Sequence, residues 1–288
     1  MLIFVVLQYN LSNKTITAIE SIQKNTELDY HVIVVDNHST NEAFMIIKER
    51  YSNSSLITVI QTEKNLGFAN GNNFGVRYAV EHFDFDYVCV LNNDIYLQTP
   101  ITVQMLEEWN QSCFDVMGPD IYRKDTNEHQ NPLPSVNYNF IWLYSYYVIY
   151  NIYRILNVLH MDEILHKLAI FTLEKIKKNK NKEIKIQDIQ WVSKLHGSFL
   201  VFSKDFVTKF PLPFHSSTFM YLEEDFLALR CRRSNSTVLY YPKLRVDHDH
   251  GSTVTTVTKS DHAKRKYIFK NNSASFKQLI KYYKSNQI

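Results

Sequence analysis

HVIVVDNHSTN, residues 31–41, is the stretch that decides how this chain folds. Its apolar run, residues 32–35, stops at Asp36 and a polar turn follows. A helix signal comes next over residues 41–51, with Ser39 or Thr40 placed to cap it. The same succession recurs on both sides. Residues 2–7 form an apolar run closed by Gln8-Tyr9-Asn10, and a helical stretch over 14–23 follows. Residues 57–61 lead to a helix over about 68–82, and residues 87–91 end in Asn92-Asn93-Asp94. Continuous apolar strands alternating with helices predict a parallel sheet covered on both faces. Ligands in such sheets sit beyond the carboxyl ends of the strands, where Asp36 and Asp94 both fall.

The composition narrows the function classes. Lys and Arg number 32 against 29 Asp and Glu, a formal charge of +3, too near neutral for a general nucleic-acid binder. With 45% hydrophobic and 21% charged residues the chain can bury a sizeable core. Only six glycines occur, which argues against linker-rich or glycine-looped architectures. Neither GxGxxG after the first strand nor GxxxxGK[ST] is present, so a dinucleotide oxidoreductase and a P-loop enzyme are both unsupported. Gly67, Gly71 and Gly75, spaced by four, would line one face of a helix packed closely on the sheet. Cys89, Cys113 and Cys231 are odd in number and far apart, without zinc spacing, and read as reduced core thiols of a cytoplasmic protein. Residues 1–10 read as a first strand and not as a signal peptide.

The middle of the chain has a different character. Residues 140–159 (FIWLYSYYVIYNIYRILNVL) hold a single charge, Arg154, yet their tyrosines and asparagines make a poor hydrocarbon-core segment. A lysine-rich run follows, from Lys175 to Lys185. Two readings stay open: peripheral contact with an anionic membrane, and internal packing as an accessory helical subdomain. The chain thus divides into a first half over 1–130, a helical insertion over 131–186, and a second half of the same domain over 187–288.

VVDNHSTN (34–41), EKNLGFANGNNFGV (63–76), LNNDIYL (91–97), LHGSFLVFS (195–203), FMYLEEDFLALRCRR (219–233) and VDHDHGS (246–252) together resemble the ordered motifs of family 2 glycosyltransferases, and within them the bacterial rhamnosyltransferase-like and capsular-polysaccharide branch. The resemblance implies a GT-A fold: an α/β, Rossmann-like, mostly parallel sheet with helices on both faces, here with a helical aromatic-rich insertion. It also implies transfer of a sugar from a UDP or dTDP donor to a glycan or lipid-linked oligosaccharide, at the inner face of the plasma membrane if the insertion docks there.

The resemblance assigns Asp36 to the nucleotide base, with Asn10 lining the same pocket; capping and turn roles are the plain alternatives. Asn65, Gly67, Asn72, Asn92 and Asn93 fall in the motifs of the donor side. Asn92-Asn93-Asp94 stands where the family carries Asp-x-Asp, so a single carboxylate would hold Mg²⁺ or Mn²⁺ with diphosphate oxygens completing the shell. His248 and His250, two residues apart on an extended segment, can face one site and join that metal. His196, Gly197 and Ser198 resemble the turn that meets sugar and acceptor. Glu223, Glu224 and Asp225 open a helix, which suits its N-terminus; crowded carboxylates also raise one another's pKa toward a general base. Alignment on Tyr221 and on Leu229-Arg230 makes Glu224 the base of inverting transfer, whereas alignment on the literal Glu-Asp string makes it Asp225. The alternative function is a non-catalytic sugar-nucleotide or glycan-binding subunit, favoured by the reduced Asn-Asn-Asp motif and opposed by the intact acidic cluster.

Overall fold

A computed structural model of the chain describes residues 1–135, 138–162, 187–249 and 260–285. The predicted strand–helix alternation is present: β1 (Leu2–Gln8), α1 (Ser12–Lys24), β2 (Tyr30–Asp36), α2 (Ala43–Arg50), β3 (Ile57–Gln61), α3 (Gly67–His82) and β4 (Tyr87–Asn92). β5 (Ile95–Leu97), α4 (Val103–Ser112), β6 (Val116–Arg123), β7 (Glu128–His129) and α5 (Phe140–Val158) follow. After them come β8 (Gln190–Trp191), β9 (Phe199–Ser203), α6 (Lys204–Lys209), α7 (Glu223–Ser234), β10 (Val238–His248) and α8 (Asp261–Ser285). One sheet runs in the order β3-β2-β1-β4-β9-β6-β10-β5, with β7 on β6 and β8 on β10. β1, β2, β3 and β4 pair in parallel, and β6 pairs in parallel with β10. β9 is antiparallel to both β4 and β6, so those two point the same way and the sheet is mostly parallel.

Alternate residues of the central strands feed two cores, as period-two side-chain geometry requires. Leu2, Phe4 and Val6 pack with Ile19, Ile22 and Trp109 on one face; Ile3 and Val5 pack with Val76, Ala79 and Phe206 on the other. The glycine stripe does what its spacing implies. A Cβ on Gly75 would stand 2.4 Å from Val5 Cγ1 and 2.7 Å from Val35 Cγ2, so α3 lies on β1 and β2 at a distance only glycine allows.

Two expectations change. Neither Ser39 nor Thr40 caps α2, whose N-cap is Glu42 without a side-chain bond. Ser39 instead donates to Asp36 at 2.6 Å, and the Thr40 amide donates to Asn10 Oδ1 at 2.7 Å, because closing the two strand-end turns on each other uses both residues. Cys89 and Cys231 are buried thiols, but Cys113 is exposed at the left-handed end of α4 (φ 50°), outside the core.

α5 falls within the predicted insertion and packs along α8. Tyr153 stacks on Phe269, and Tyr146 and Tyr150 on Phe276, which shares a third cluster with Phe226 and Leu229 of α7. No described helix is long and apolar enough to cross a membrane. The lysine run 175–185 lies outside the described residues.

Candidate functional site

The carboxyl ends of β1, β2, β4, β6 and β10 open on one edge of the sheet. Because β9 is antiparallel, its leading turn, His196-Gly197-Ser198, reaches the same edge, where the Asn92 amide donates to the Ser198 carbonyl at 3.0 Å. The candidate site is built along this edge.

The acidic turn is held in a costly backbone. Tyr221 (φ 74°) and Leu222 (φ 69°) both adopt the left-handed region immediately before Glu223, at a cost of roughly 1–3 kcal/mol each. Two elements over-determine this conformation. The Phe68 amide of α3 donates to Phe219 O at 2.8 Å, and Ser275 of α8 donates to Met220 O at 2.9 Å. Gly67 is obligatory for the first contact: it sits at φ +77°, and a Cβ there would come within 2.1 Å of Phe219 O.

The three acids then receive three environments. Asp225 is buried, and its Oδ1 accepts from Lys194 Nζ at 2.6 Å and from Tyr138 Oη at 2.6 Å. Glu223 is 5% exposed, and its Oε1 has no hydrogen-bond partner among the described residues. Burial, and then the charge of Glu224, push its pKa up to about 8. Glu224 is half-buried, and its Oε1 accepts the Gly197 N–H at 3.2 Å. A Cβ at Gly197 would meet that oxygen at 3.2 Å, a tight contact that the carboxylate relieves only by moving a few tenths of an ångström.

On the other side of His196 stands a carboxylate–imidazole pair. β10 and β5 place His248 opposite Ile95, which sets its ring beside Asp94: His248 Nε2 and Asp94 Oδ1 are 3.4 Å apart, both residues buried. Gln130 Oε1 lies 2.6 Å from His248 Nδ1, which fixes Nδ1 as the donor of that bond. Nε2 is therefore the nitrogen turned toward the carboxylate oxygen. One imidazole nitrogen and one carboxylate oxygen suit Mn²⁺ and leave several positions for phosphate oxygens and water. Among the described residues no cluster of three His, Cys, Asp or Glu surrounds this point. The Gln130 amide nitrogen lies 3.4 Å from His196 Nε2, and the His196 and His248 rings meet edge to face at 5.8 Å. Gln130 thus ties the turn to the Asp94–His248 pair.

A cavity of about 180 Å³ opens beside these groups, between β1, α3 and the 219–220 loop. Asn65, Gly67, Asn92 and Asn93 line it, as do Tyr9, Asn37, Phe219 and Tyr267. Three predicted donor-side residues stand elsewhere. Asp36 is 0% exposed, and its carboxylate accepts from Gln8, from the Ser39 amide and hydroxyl, and from Gln61. Its four protein donors fasten the ends of β1, β2 and β3 together. Asn10 locks the turn after β1 to Thr40, and Asn72 is buried in α3 with its amide on Phe68 O at 3.1 Å. His250 lies outside the described residues.

Sequence reasoning did not single out Gln130, Lys194, Tyr138, Tyr9 or Tyr267. Each acts through a partner far away in the chain, so local pattern offered no signal. Two arginines of α7 bind carbonyl oxygens: Arg230 those of Leu212 and Pro213, Arg233 those of Tyr282 and Tyr283.

Comparison with known proteins agrees with this architecture. The family model described as glycosyl transferase family 2 matches residues 4–172. Chondroitin synthase of Escherichia coli is 26% identical over 133 residues, 46% of this chain and 18% of that protein. A low-salt glycan biosynthesis hexosyltransferase of Haloferax volcanii is 25% identical over 103 residues, 35% of this chain and 32% of that protein. The chain therefore matches under a third of the length of either relative. Among solved structures, GalNAc-T7 with UDP, GalNAc and Mn²⁺ superposes with a TM-score of 0.58 at 11% identity, covering 86% of this chain and 43% of that one. S. aureus TarS superposes at 0.53 with 14% identity, covering 86% of this chain and 36% of that one. These two likenesses are of fold, and the fold is GT-A. With the family's match running across the first strands, the insertion helix and the Asn-Asn-Asp turn, the chain belongs to glycosyl transferase family 2.

Proposed function

We propose that this glycosyltransferase is an inverting enzyme that moves a hexosyl or deoxyhexosyl unit from a UDP- or dTDP-sugar to a hydroxyl of a growing, lipid-linked bacterial surface polysaccharide. The observation that carries the reading is the placement of Glu224: a half-buried carboxylate hydrogen-bonded to the Gly197 amide on the edge that also holds Asp94 and His248.

The cavity beside β1 and α3 is the donor pocket in this reading, with Tyr9 and Tyr267 offering rings to the nucleotide and Asn65 and Asn92 offering amides to its sugar and phosphates. Asp36 then supports the base-binding turn from behind, since its lone pairs are used within the protein. Asp94 and His248 are the residues that would hold Mn²⁺ or Mg²⁺, which offsets the charge building on the leaving diphosphate. Gln130 holds the His248 ring in the orientation that presents Nε2. On the acceptor side, Glu224 takes the proton of the attacking hydroxyl, a contribution of about 10²–10⁴-fold in rate. Its Gly197 hydrogen bond fixes one oxygen and leaves the other for that hydroxyl. Asp225 is a poor candidate for the same role, because Lys194 and Tyr138 occupy its Oδ1 within the packed interior. The polysaccharide acceptor rests on the resemblance to the capsular branch.

The test is a panel of nucleotide sugars screened for thermal stabilisation with and without Mn²⁺, followed by transfer assays with the stabilising donor. A donor that binds only the metal-loaded protein, and whose transfer is lost in Asp94→Ala, supports the reading. Full transfer by Asp94→Ala would remove the metal role, and stabilisation by no nucleotide sugar would remove the donor assignment.

A further inference from the structure

The α5–α8 pair carries a surface that sugar transfer does not explain. α5 is 19 residues long, about 28 Å, and one side of it packs on α8. Its opposite side is apolar and exposed: Ile141, Val148, Ile152, Ile155 and Leu159 recur every three, four or seven residues, with exposures from 37% to 77%. No acid occurs in α5. Along the neighbouring flank, α8 presents Lys266, Lys270, Lys277, Lys281 and Lys284 at helical spacing, all exposed. Among the described residues the acids near them are few: Asp261 opens α8, and Asp162 is buried against Arg265 at 2.5 Å. The lysine stripe adjoins the apolar one at both ends. Lys284 Nζ lies 4.3 Å from the Phe140 ring centroid, and Lys266 and Lys270 share a groove of about 350 Å³ with Arg154, Ile155 and Val158.

We infer that the α5–α8 pair is a docking surface for an anionic phospholipid bilayer, with the apolar side of α5 lying in the interfacial region and the α8 lysines against the headgroups. The exposed apolar stripe alone could equally meet a second copy of the chain. What selects a bilayer is its alignment with a row of exposed lysines that no acid of the described residues pairs with; two copies meeting through this face would bring their rows together. An amphipathic helix with a basic flank binds a membrane by burying its apolar side and attracting anionic lipids. α8 is also the helix that fixes the acidic turn, through Ser275 and Met220, and supplies Tyr267 to the cavity. Docking would therefore place the site close to the bilayer, which suits the lipid-linked acceptor proposed above, although the inference stands on the surface itself.

The experiment is flotation of the full chain with vesicles of phosphatidylglycerol in phosphatidylcholine, and of phosphatidylcholine alone, at low and high salt. Expected are binding to the anionic vesicles, at least tenfold weaker binding to neutral ones, and weakening by salt. Ile152→Glu/Ile155→Glu and Lys266→Glu/Lys270→Glu should each lower binding tenfold or more while keeping the parent's melting temperature and donor hydrolysis. No flotation of the parent overturns the proposal, as does equal binding by the folded variants. A parent that elutes as a dimer, fails to float and is split by the isoleucine variant would assign the face to a second copy. Donor hydrolysis, read in the same samples, reports separately on the transferase reading.

Discussion

The three adjacent acids of α7 should separate cleanly into a base, a structural ion-pair partner and a buried proton holder, and two isosteric substitutions test this. In Asp225→Asn the loss falls on folding. Asp225 and Lys194 have side-chain exposures of 7% and 13%, so removing the carboxylate leaves an ammonium largely cut off from water. Breaking a buried pair from one side costs about 3–5 kcal/mol. A typical domain has about 5–15 kcal/mol in total, so this is a large fraction, visible as a drop in melting temperature on the order of 10 °C. In Glu224→Gln the loss falls on chemistry. Glutamine keeps the oxygen that accepts the Gly197 N–H, and the side chain is only half-buried. The charge removed from the helix N-terminus was worth about 0.3–1 kcal/mol. Stability should stay within about 1 kcal/mol of the parent, while transfer falls by about 10²–10⁴-fold with little change in donor affinity. Urea denaturation and initial-rate transfer assays on both variants give the comparison. If Asp225→Asn abolishes transfer at unchanged stability while Glu224→Gln transfers normally, the assignment built on the Lys194 and Tyr138 contacts is wrong.

Three further outcomes follow from named contacts. Gln130→Ala removes the acceptor that orients His248, and should weaken Mn²⁺ affinity about 10–100-fold, measured by metal titration, with donor affinity in saturating metal nearly restored. Glu223 keeps its proton in the folded state to about pH 8, far above the unfolded chain, so its contribution to stability is complete below the ordinary carboxylate range and is lost as pH rises toward 8. Chemical denaturation across that window should show stability falling with pH, and Glu223→Gln should flatten the slope; an unchanged slope refutes the burial argument. Gly75→Ala forces a methyl against Val5 and Val35 in the α3–sheet contact, and should cost about 1–3 kcal/mol by thermal melting without altering the transfer rate of the folded fraction.

What was legible beforehand divides along a physical line. β1 to β4 and their helices were readable because a strand buried on both faces is a continuous apolar run, and each turn after it is polar for the same reason. The glycine stripe was readable because its period is that of the helix carrying it. β9 is a short apolar run like the others, and nothing local says that it enters antiparallel between β4 and β6; that is decided by long-range pairing. The same holds for the site. Asp94, His248, Gly197 and Glu224 were named from motifs, and the structure brings them along one edge. Asp36 was assigned to the base by the resemblance; its carboxylate accepts from Gln8, Ser39 and Gln61, which no spacing rule links to it. Gln130 was overlooked because a glutamine in a turn has no signal until two imidazoles are found on either side of it.

The strained turn before Glu223 explains why elements so far apart in the chain behave as one unit. Tyr221 and Leu222 at positive φ would relax if nothing held them, and relaxation would swing Glu223 and Glu224 away from Gly197. α3 prevents this through the Phe68 amide and the close approach at Gly67, and α8 prevents it through Ser275. Both restraints also border the cavity: Gly67 and Phe68 line it from α3, and Tyr267 lines it from α8. A ligand that orders the cavity therefore stiffens the turn that carries Glu224, and a substitution that loosens the turn weakens the ligand in return, since the coupling is reciprocal. Gly67→Ala is the sharpest probe of that coupling: its Cβ cannot coexist with Phe219 O, so it should lower nucleotide-sugar affinity and transfer together. Loss of transfer at undiminished donor affinity would show that the turn and the cavity are independent.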